Sequence, residues 1–599
     1  YQDVSHWIQE TPEQYAKREH YIAKDAMFGF EPHVAELIYN QMAAEAKVKV
    51  VFGQRLDLKN GVKKEGSRII SITMESGMTY AAKEFIDATY EGDLMAKAGV
   101  SYTVGREANA QYGESLNGIE VKDAGSHQFT LAVDPFVKPG DPTSGLVPNI
   151  HSGSPGVDGE ADKRQQAYNY RICTTDAPDL RVPFSKPAGY DEKDFELLLR
   201  FYEAGFKGIP WGPRGMPNRK TDTNNSGAFS TDFIGMNDAY PEADYATRDK
   251  IIADHIRYTQ GLLWTLANHP RVPEKVRERV GKWGLAKDEF ADNGNWPYQL
   301  YVREARRMIS DYVVTEDDIK GKRTPNDPVG LGSYGMDSHN CQRYVDAAGH
   351  ARNEGDVQVH GTPPYGISYR SIVPKATECT NLLVPICMSA THIAYGSIRM
   401  EPVYMILGQA CGTAAAQAID ENADVQHVSY PKLRDRLIAD KQLIEWKGPA
   451  GDIPTGKAVR STDLPGIVMN DSQAVLTGQW KHGSFHVGID GDYQHDENAG
   501  KGQKSARFEL KIPADGKYEV RFGYVPSSNR ATNVPVTVDS ADGSKTVLVN
   551  EKLAPPIGGE FVSLGEYNFT AAKGAVVTVS NEKTDGFVII DAVQALQVK

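Results

Sequence analysis

Ile86-Asp87-Ala88-Thr89-Tyr90-Glu91-Gly92-Asp93-Leu94 is the stretch on which the fold turns. The pattern upstream, from Thr79, reads as a strand, and residues 94–98 predict a short helix. A buried strand therefore ends, passes through small and acidic residues, and enters a helix. In open α/β sheets, ligands sit at the carboxyl ends of strands. Small residues there let a cofactor approach the backbone, and a helix start offers free N–H groups. The competing reading is an ordinary strand–helix junction with an acidic cap.

Outward from this junction, residues 68–74 alternate as a strand, Ser76-Gly77 turns, and residues 79–89 return as its hairpin partner. Residues 31–46 predict a helix, with Pro32 at its first position and Val34, Leu37, Ile38 and Met42 on one face. Residues 48–52 predict a short strand. Residues 139–159, dense in Pro, Gly and Ser, predict an irregular excursion. Helices are expected over 195–204 and 248–267, and a basic-faced one over 299–309. Residues 381–385 read as a buried strand. Residues 402–419 predict a helix whose interior is nearly all small, including Gly408, Ala410, Gly412 and Ala414.

The segment entering that helix contains His392, Tyr395, Arg399, Met400 and Glu401. The positive end of a helix dipole beside Arg399 stabilises negative charge, such as a reduced flavin carries at its pyrimidine edge. Close helix–sheet packing with an Arg399–Glu401 ion pair is the alternative. His392 and Tyr395, expected in a loop, are candidate bases because His titrates near neutrality and Tyr can exchange a proton. A buried, hydrogen-bonded His is the plainer reading of His392. Tyr369 and Arg370 are candidates for orienting a polar substrate. Lys220, Asp222, Asn224 and Asn225 read as loop residues suited to sugar hydroxyls, or as a solvated turn.

Two motif matches fail on context. Residues 330–335 fit GxGxxG, but no strand precedes them and no apolar helix follows. Residues 451–457 resemble a phosphate-binding loop, but Ala458 stands where a metal-holding Ser or Thr is needed. His339, His350 and His360 lack metal-site spacing, so no metal is expected from them.

The chain has 599 residues, with 66 basic and 79 acidic side chains and a net charge of −13. Hydrophobic residues at 40% and charged residues at 24% fit a globular protein of several folding units. The acidic balance argues against a nucleic-acid binder. No apolar run is long enough to span a membrane. The five cysteines are irregularly spaced and support neither a disulfide framework nor a zinc site. After Trp446 the composition shifts to a linker. Seven alternating segments between residues 506 and 593, separated by turn signals such as Ala514-Asp515-Gly516, then predict an all-β sandwich. In it, Trp480, Phe485, Tyr493 and Tyr524 are candidate platforms for sugar rings, or core. Asn498, Asn529, Arg530 and Asn533 are candidate partners for hydroxyls.

Residues 85–107, 220–235, 298–308 and 365–416 resemble the bacterial FAD-dependent oxidoreductases that carry a xanthan-lyase-like label. Residues 466–599, including TGQWK and TDGFVIIDAVQ, resemble the golvesin or xanthan-lyase-type C-terminal β domain. The resemblance implies a GR2-type, Rossmann-like α/β FAD-binding domain over 1–124 and 361–445, a substrate-binding α+β insertion over 125–360, a linker over 446–465 and the sandwich over 466–599. The family's first βαβ unit, with its GxGxxG, cannot be placed, which suggests an N-terminally truncated chain that binds FAD poorly or is inactive. Carried over singly, the strand at Gln54-Arg55-Leu56 meets adenine. Ala88, Thr89, Gly92 and Asp93 lie near phosphate and ribose, and Arg399, Met400 and Glu401 under the isoalloxazine. A periplasmic or secreted location is the family's usual one.

The expected function is flavin-dependent hydride abstraction from a carbohydrate or glycoside, with His392, Tyr395 and Arg370 as catalytic residues and Tyr369, Asp222, Asn224 and Asn225 on the substrate. The expected partners are a small-molecule or carbohydrate substrate and a polysaccharide at the C-terminal domain. A polysaccharide lyase and a non-catalytic carbohydrate-binding protein are the rivals.

Overall fold

The computed structural model describes residues 4–18, 27, 29–122, 124–360, 362–447, 459–483, 488–527 and 529–598. The chain divides into two compact units, Tyr1–Val357 with Tyr365–Lys447, and Gln358–Pro364 with Gly448–Lys599.

In the first unit, Phe85–Ile86 pairs in parallel with Leu382–Leu383. Asn381 locks the pair to the neighbouring hairpin, since its side chain accepts from Ile69 N–H at 2.8 Å and donates to the carbonyls of Ile69 and Lys83. Asp87, just past the strand, is buried. It accepts from the Thr89 hydroxyl at 2.6 Å and from Met95 N–H at 2.9 Å, which ties the strand end to the helix Asp93–Lys97. Gly92 caps that helix with φ +67°, and a Cβ there would lie 3.0 Å from Cys387.

The larger core belongs to a five-stranded sheet ordered Arg181–Pro183, Gly284–Ala286, Ile172–Thr175, Lys220–Asn225, Trp211–Met216. Its central strand Ile172–Thr175 is wholly buried, and Thr174 bonds Thr221 and Thr223 across the ladder. The helices Glu196–Glu203 and Tyr245–Asn268 supply Leu197, Leu198, Leu262 and Leu266 to the same core.

Most predicted elements are present, with five corrections. Gln54-Arg55-Leu56 forms no strand; Leu56 alone makes an isolated bridge, to Met74. Residues 48–52 form no strand. Val48, Val50, Val51 and Phe52 are exposed, and their backbone meets no ladder partner among the described residues. Residues 299–309 are extended, not helical, apart from the two-residue strand Arg307–Met308. Asp222, Asn224 and Asn225 lie in a strand rather than a loop. His392 and Tyr395 lie inside the helix His392–Ile398. The small-residue helix runs Glu401–Glu421. Gly330–Gly332 ends a strand paired antiparallel with Tyr365–Ser368, and another strand follows it.

The second unit is sheet-rich and antiparallel. One sheet is ordered Ile467–Asn470, Ala592–Gln597, Gly516–Gly523, Phe561–Phe569, and another Val475–Thr477, Ser505–Leu510, Ala575–Ser580, Val534–Ser540, Gly543–Val549. A third, smaller one joins Lys481–Gly483, Tyr493–His495 and Ile589–Ile590. The alternation of buried and accessible residues in Val534–Ser540 and Ala575–Ser580 is the period-two pattern read from the sequence. The alternate residues Val536, Val538, Val577 and Val579 meet Phe508, Val520 and Phe522 in one core.

Candidate active site

The extended strap from Tyr301 to Arg307 organises the centre of the first unit. Each charged side chain on it meets a partner from a distant element. Arg303 Nη2 lies 2.8 Å from Asp232. Glu304 Oε2 lies 2.7 Å from His392 Nδ1. Arg306 bonds Asp93 at 2.8 Å and Glu242 at 2.8 Å. Arg307 bonds Glu107 at 2.9 Å. A helix over these residues would align the arginines on one side, whereas the extended strap distributes them among buried carboxylates. Burial alone would raise the Glu304 carboxyl; its contacts with His392 and Arg307 reverse this and hold it down at about 2.

The predicted cofactor residues fall into two groups. Ala88 and Thr89 are exposed at the end of the parallel strand pair. Asp93 is committed: Arg248 grips it at 2.6 and 2.9 Å, and Arg306 takes a third position. Leu56 is buried, and its carbonyl accepts from the Tyr245 hydroxyl. Met400 and Glu401 start the 401–421 helix, with Glu401 exposed. The alternative reading, an Arg399–Glu401 pair, is not the one formed: Arg399 pairs with Asp337 at 3.2 Å. Arg399 is 3% exposed, and its Nε has no hydrogen-bond partner. Farther along the helix, a Cβ added at Gly408 or Gly412 would enter open space. These features fit the flat ring system of a flavin: an orphaned buried donor at a helix entry, and small residues leaving room along the helix.

Around Arg399 lies a polar cluster. Arg399 Nη1 is 3.5 Å from the Tyr301 hydroxyl. The guanidinium groups of Arg303 and Arg171 sit 4.9 and 5.2 Å from the Tyr301 ring centre. Arg171 pairs with Asp222, and Asn224 accepts from Asn169 at 2.8 Å. Asn225 Oδ1 lies 3.3 Å from Arg303 Nη2. Three of the four predicted substrate residues thus connect to Arg171, Asn169 and Arg303, which neighbour Tyr301 in space or by backbone pairing. The fourth does not: Tyr369 is buried and its hydroxyl bonds the Val425 carbonyl. Arg370 is engaged elsewhere, pairing with Asp327 at 3.0 Å and covering Tyr312.

His392 and Tyr395 are buried behind the cluster. His392 Nε2 meets the Ser338 hydroxyl at 2.9 Å, and the Tyr395 hydroxyl meets that of Tyr404 at 2.8 Å. Burial pushes Tyr395 well above its ordinary range. Sequence reading missed Tyr301, Arg171, Arg303, Asp337, and the pair His339–Asp232. His339 Nδ1 is 2.8 Å from Asp232, and burial lowers the imidazole to about 4.

Lys220 lies apart from this cluster. Glu31, His33 and Glu289 hold their ligand atoms within 4.8 Å of one another. The buried Lys220 ammonium already contacts Glu31 at 2.8 Å and Glu289 at 2.6 Å, so a cation is built into that group. All five cysteines are buried free thiols. No helix among the described residues is long and apolar enough to cross a membrane.

In the second unit, Tyr493 and Tyr524 are core residues rather than exposed platforms. Trp480 packs partly against the same core, and Phe485 lies outside the described residues. Asn498 and Asn529 are exposed. Arg530 is buried beside Tyr493, and Asn533 bonds the Lys583 carbonyl and Asp585 N–H.

Residues 1–437 match the model of the FAD dependent oxidoreductases, and the chain belongs to that family. Residues 467–597 match the Golvesin C-terminal domain. A xanthan lyase of Bacillus sp. (strain GL1) is 37% identical over 143 residues, which is 23% of this chain and 15% of that protein. The chain therefore spans only a small part of that relative's length. Among solved structures, a Paenibacillus xanthan lyase is 32% identical over 22% of this chain and 13% of its own, with a TM-score of 0.21. A family 35 carbohydrate binding module from Clostridium thermocellum is 12% identical over 22% of this chain and 97% of its own, with a TM-score of 0.18. Scores this low carry nothing about function.

Proposed function

We propose that the chain is a flavin-dependent oxidoreductase that removes hydride from a carbinol carbon of a neutral carbohydrate or glycoside. The observation that carries this reading is the Arg399 entry to the 401–421 helix, with its orphaned Nε beside the Tyr301 cluster. Arg399, Met400 and Glu401 would hold the isoalloxazine, and Ala88, Thr89 and Gly92 would line the rest of the cofactor on an α/β sheet begun by the parallel pair. When bound, the flavin supplies a two-electron acceptor. The protein's own groups orient the substrate and accept its proton.

The charges speak for a neutral substrate. Arg171, Arg303 and Arg399 are matched by Asp222, Asp232 and Asp337, leaving planar donors and acceptors but no spare cation. Such a set suits hydroxyl groups. A lyase acting on a uronate needs a cation free for the carboxylate, so the lyase reading ranks lower. The second unit, read as a β-sandwich, would bind polysaccharide.

Fluorescence titration with FAD tests the cofactor half. Arg399→Lys keeps the charge and loses Nε, and its Kd is expected to rise about tenfold, worth about 1.4 kcal/mol. An unchanged Kd removes the carrying observation. Turnover on neutral methyl glycosides, and none on methyl glucuronide, is the expected substrate pattern.

A further inference from the structure

We propose that His339 is the catalytic base of this site and Asp232 its positioning residue. The inference rests on the oxidoreductase reading above and names the group that takes the substrate's proton.

His339 follows the strand Met336–Ser338 and faces four charged or titratable neighbours. Asp232 lies 2.8 Å from Nδ1, and Asp337 Oδ1 lies 3.7 Å from Nε2. Arg303 holds the other Asp232 oxygen at 2.8 Å, and the His127 ring is centred 6.1 Å away. Burial would raise Asp232, but Arg303 and His339 reverse this and keep it a carboxylate. A carboxylate only accepts, so the 2.8 Å contact gives Nδ1 the hydrogen, and the Asn225 amide nitrogen, at 3.4 Å from Nδ1, is the more distant neighbour. Burial keeps the imidazole uncharged at neutral pH. Nε2 is then left with its lone pair, and the gap to Asp337 is too long for a hydrogen bond. Asp337 is also the partner of Arg399, so this lone pair lies beside the helix entry. His127 and Tyr301 beside it are partly accessible.

The other histidine of the centre is not so placed. Both His392 nitrogens are taken, by Glu304 and Ser338. His392 is therefore held as a structural side chain, whereas His339 Nε2 has only Asp337, at 3.7 Å, among the described residues.

The step balances as follows. The substrate O–H bond breaks and its proton goes to His339 Nε2. The C–H bond breaks and its hydrogen leaves with both electrons to the oxidised flavin. The carbinol becomes a carbonyl, and the imidazolium is stabilised by Asp232 until it loses the proton to solvent.

The test uses the full chain with FAD, methyl glycosides of neutral hexoses, and a dye acceptor. His339→Gln is expected to lower kcat about 100-fold or more, with KM nearly unchanged, the size of a lost general base. Retention of more than about a tenth of kcat in a folded variant overturns the proposal. Nitrogen-15 NMR of the wild type gives an independent reading that needs no turnover. His339, assigned by the peak missing from His339→Gln, should be a neutral Nδ1–H tautomer at neutral pH. An Nε2–H tautomer or a charged ring overturns the base while leaving the oxidoreductase reading intact. Asp232→Asn should shift the tautomer towards Nε2–H and lower kcat. A wild type that oxidises no glycoside, yet shows the expected tautomer, refutes the oxidoreductase reading instead.

Discussion

His255 shows how burial, rather than residue type, decides what a histidine does here. It sits in the helix Tyr245–Asn268 with Nδ1 on the Ile251 carbonyl at 2.8 Å and its ring against Phe233. Burial lowers it to about 4. The unfolded chain binds that proton below about 6.5, so folding stability falls as pH drops from 6.5 towards 4. Other groups titrate in this window, and Asp238, raised by burial to about 6, acts in the opposite sense. The clean measure is therefore a difference. Across that window, urea unfolding should show wild type losing up to about 3 kcal/mol relative to His255→Phe. A difference independent of pH would contradict the assignment. At this scale the sequence was a poor guide. His392 was visible as an ionisable residue near a helix entry, but nothing nearby announced that Glu304 would claim it. His339 was weighed only for metal spacing, because its partner Asp232 lies 107 positions away. The plainer reading of His392, a buried hydrogen-bonded side chain, describes it.

Among the elements, helix and strand periodicity was legible wherever the apolar pattern alone determined burial. The 245–268 and 401–421 helices and the C-terminal strands follow it closely. It failed where charged residues are buried. The stretch Tyr301-Val302-Arg303-Glu304-Ala305-Arg306-Arg307 has good helix formers, and its extended form is set by the carboxylates of Asp93, Glu107, Asp232 and Glu242 and by His392. Breaking such buried pairs is costly. Arg307→Met removes the buried cation that pairs with Glu107 and Glu304 and should cost about 3–5 kcal/mol by chemical denaturation. A loss below about 1 kcal/mol would show that the strap does not depend on them. Element contacts also position the site. In the helix His392–Ile398, a Cβ at Gly396 would lie 2.8 Å from the Asp337 carbonyl oxygen and 3.1 Å from its nitrogen. Gly396→Ala should destabilise by about 1–3 kcal/mol as overpacking. Because it displaces Asp337, it should also weaken FAD binding, which an exposed alanine such as Ala416→Ser should not.

For the whole molecule, the composition shift after Trp446 and the alternating C-terminal segments anticipated a separate sheet-rich unit with its own core. A fragment of residues 459–599 is expected to unfold in one cooperative transition. A broad melt without a baseline would place part of its core elsewhere. Glycan-array binding by that fragment is the direct test of the sugar role, and binding to no glycan would withdraw it. The central claim is that the first unit runs flavin chemistry on a neutral sugar, and one measurement addresses it most directly. The full chain is incubated with FAD, freed of excess, and mixed without oxygen with neutral glycosides while its visible spectrum is followed. The account predicts the two-banded absorption of oxidised flavin, bleached by glycoside and restored by an electron acceptor. A colourless protein that instead releases unsaturated sugar from a uronate polymer would contradict it.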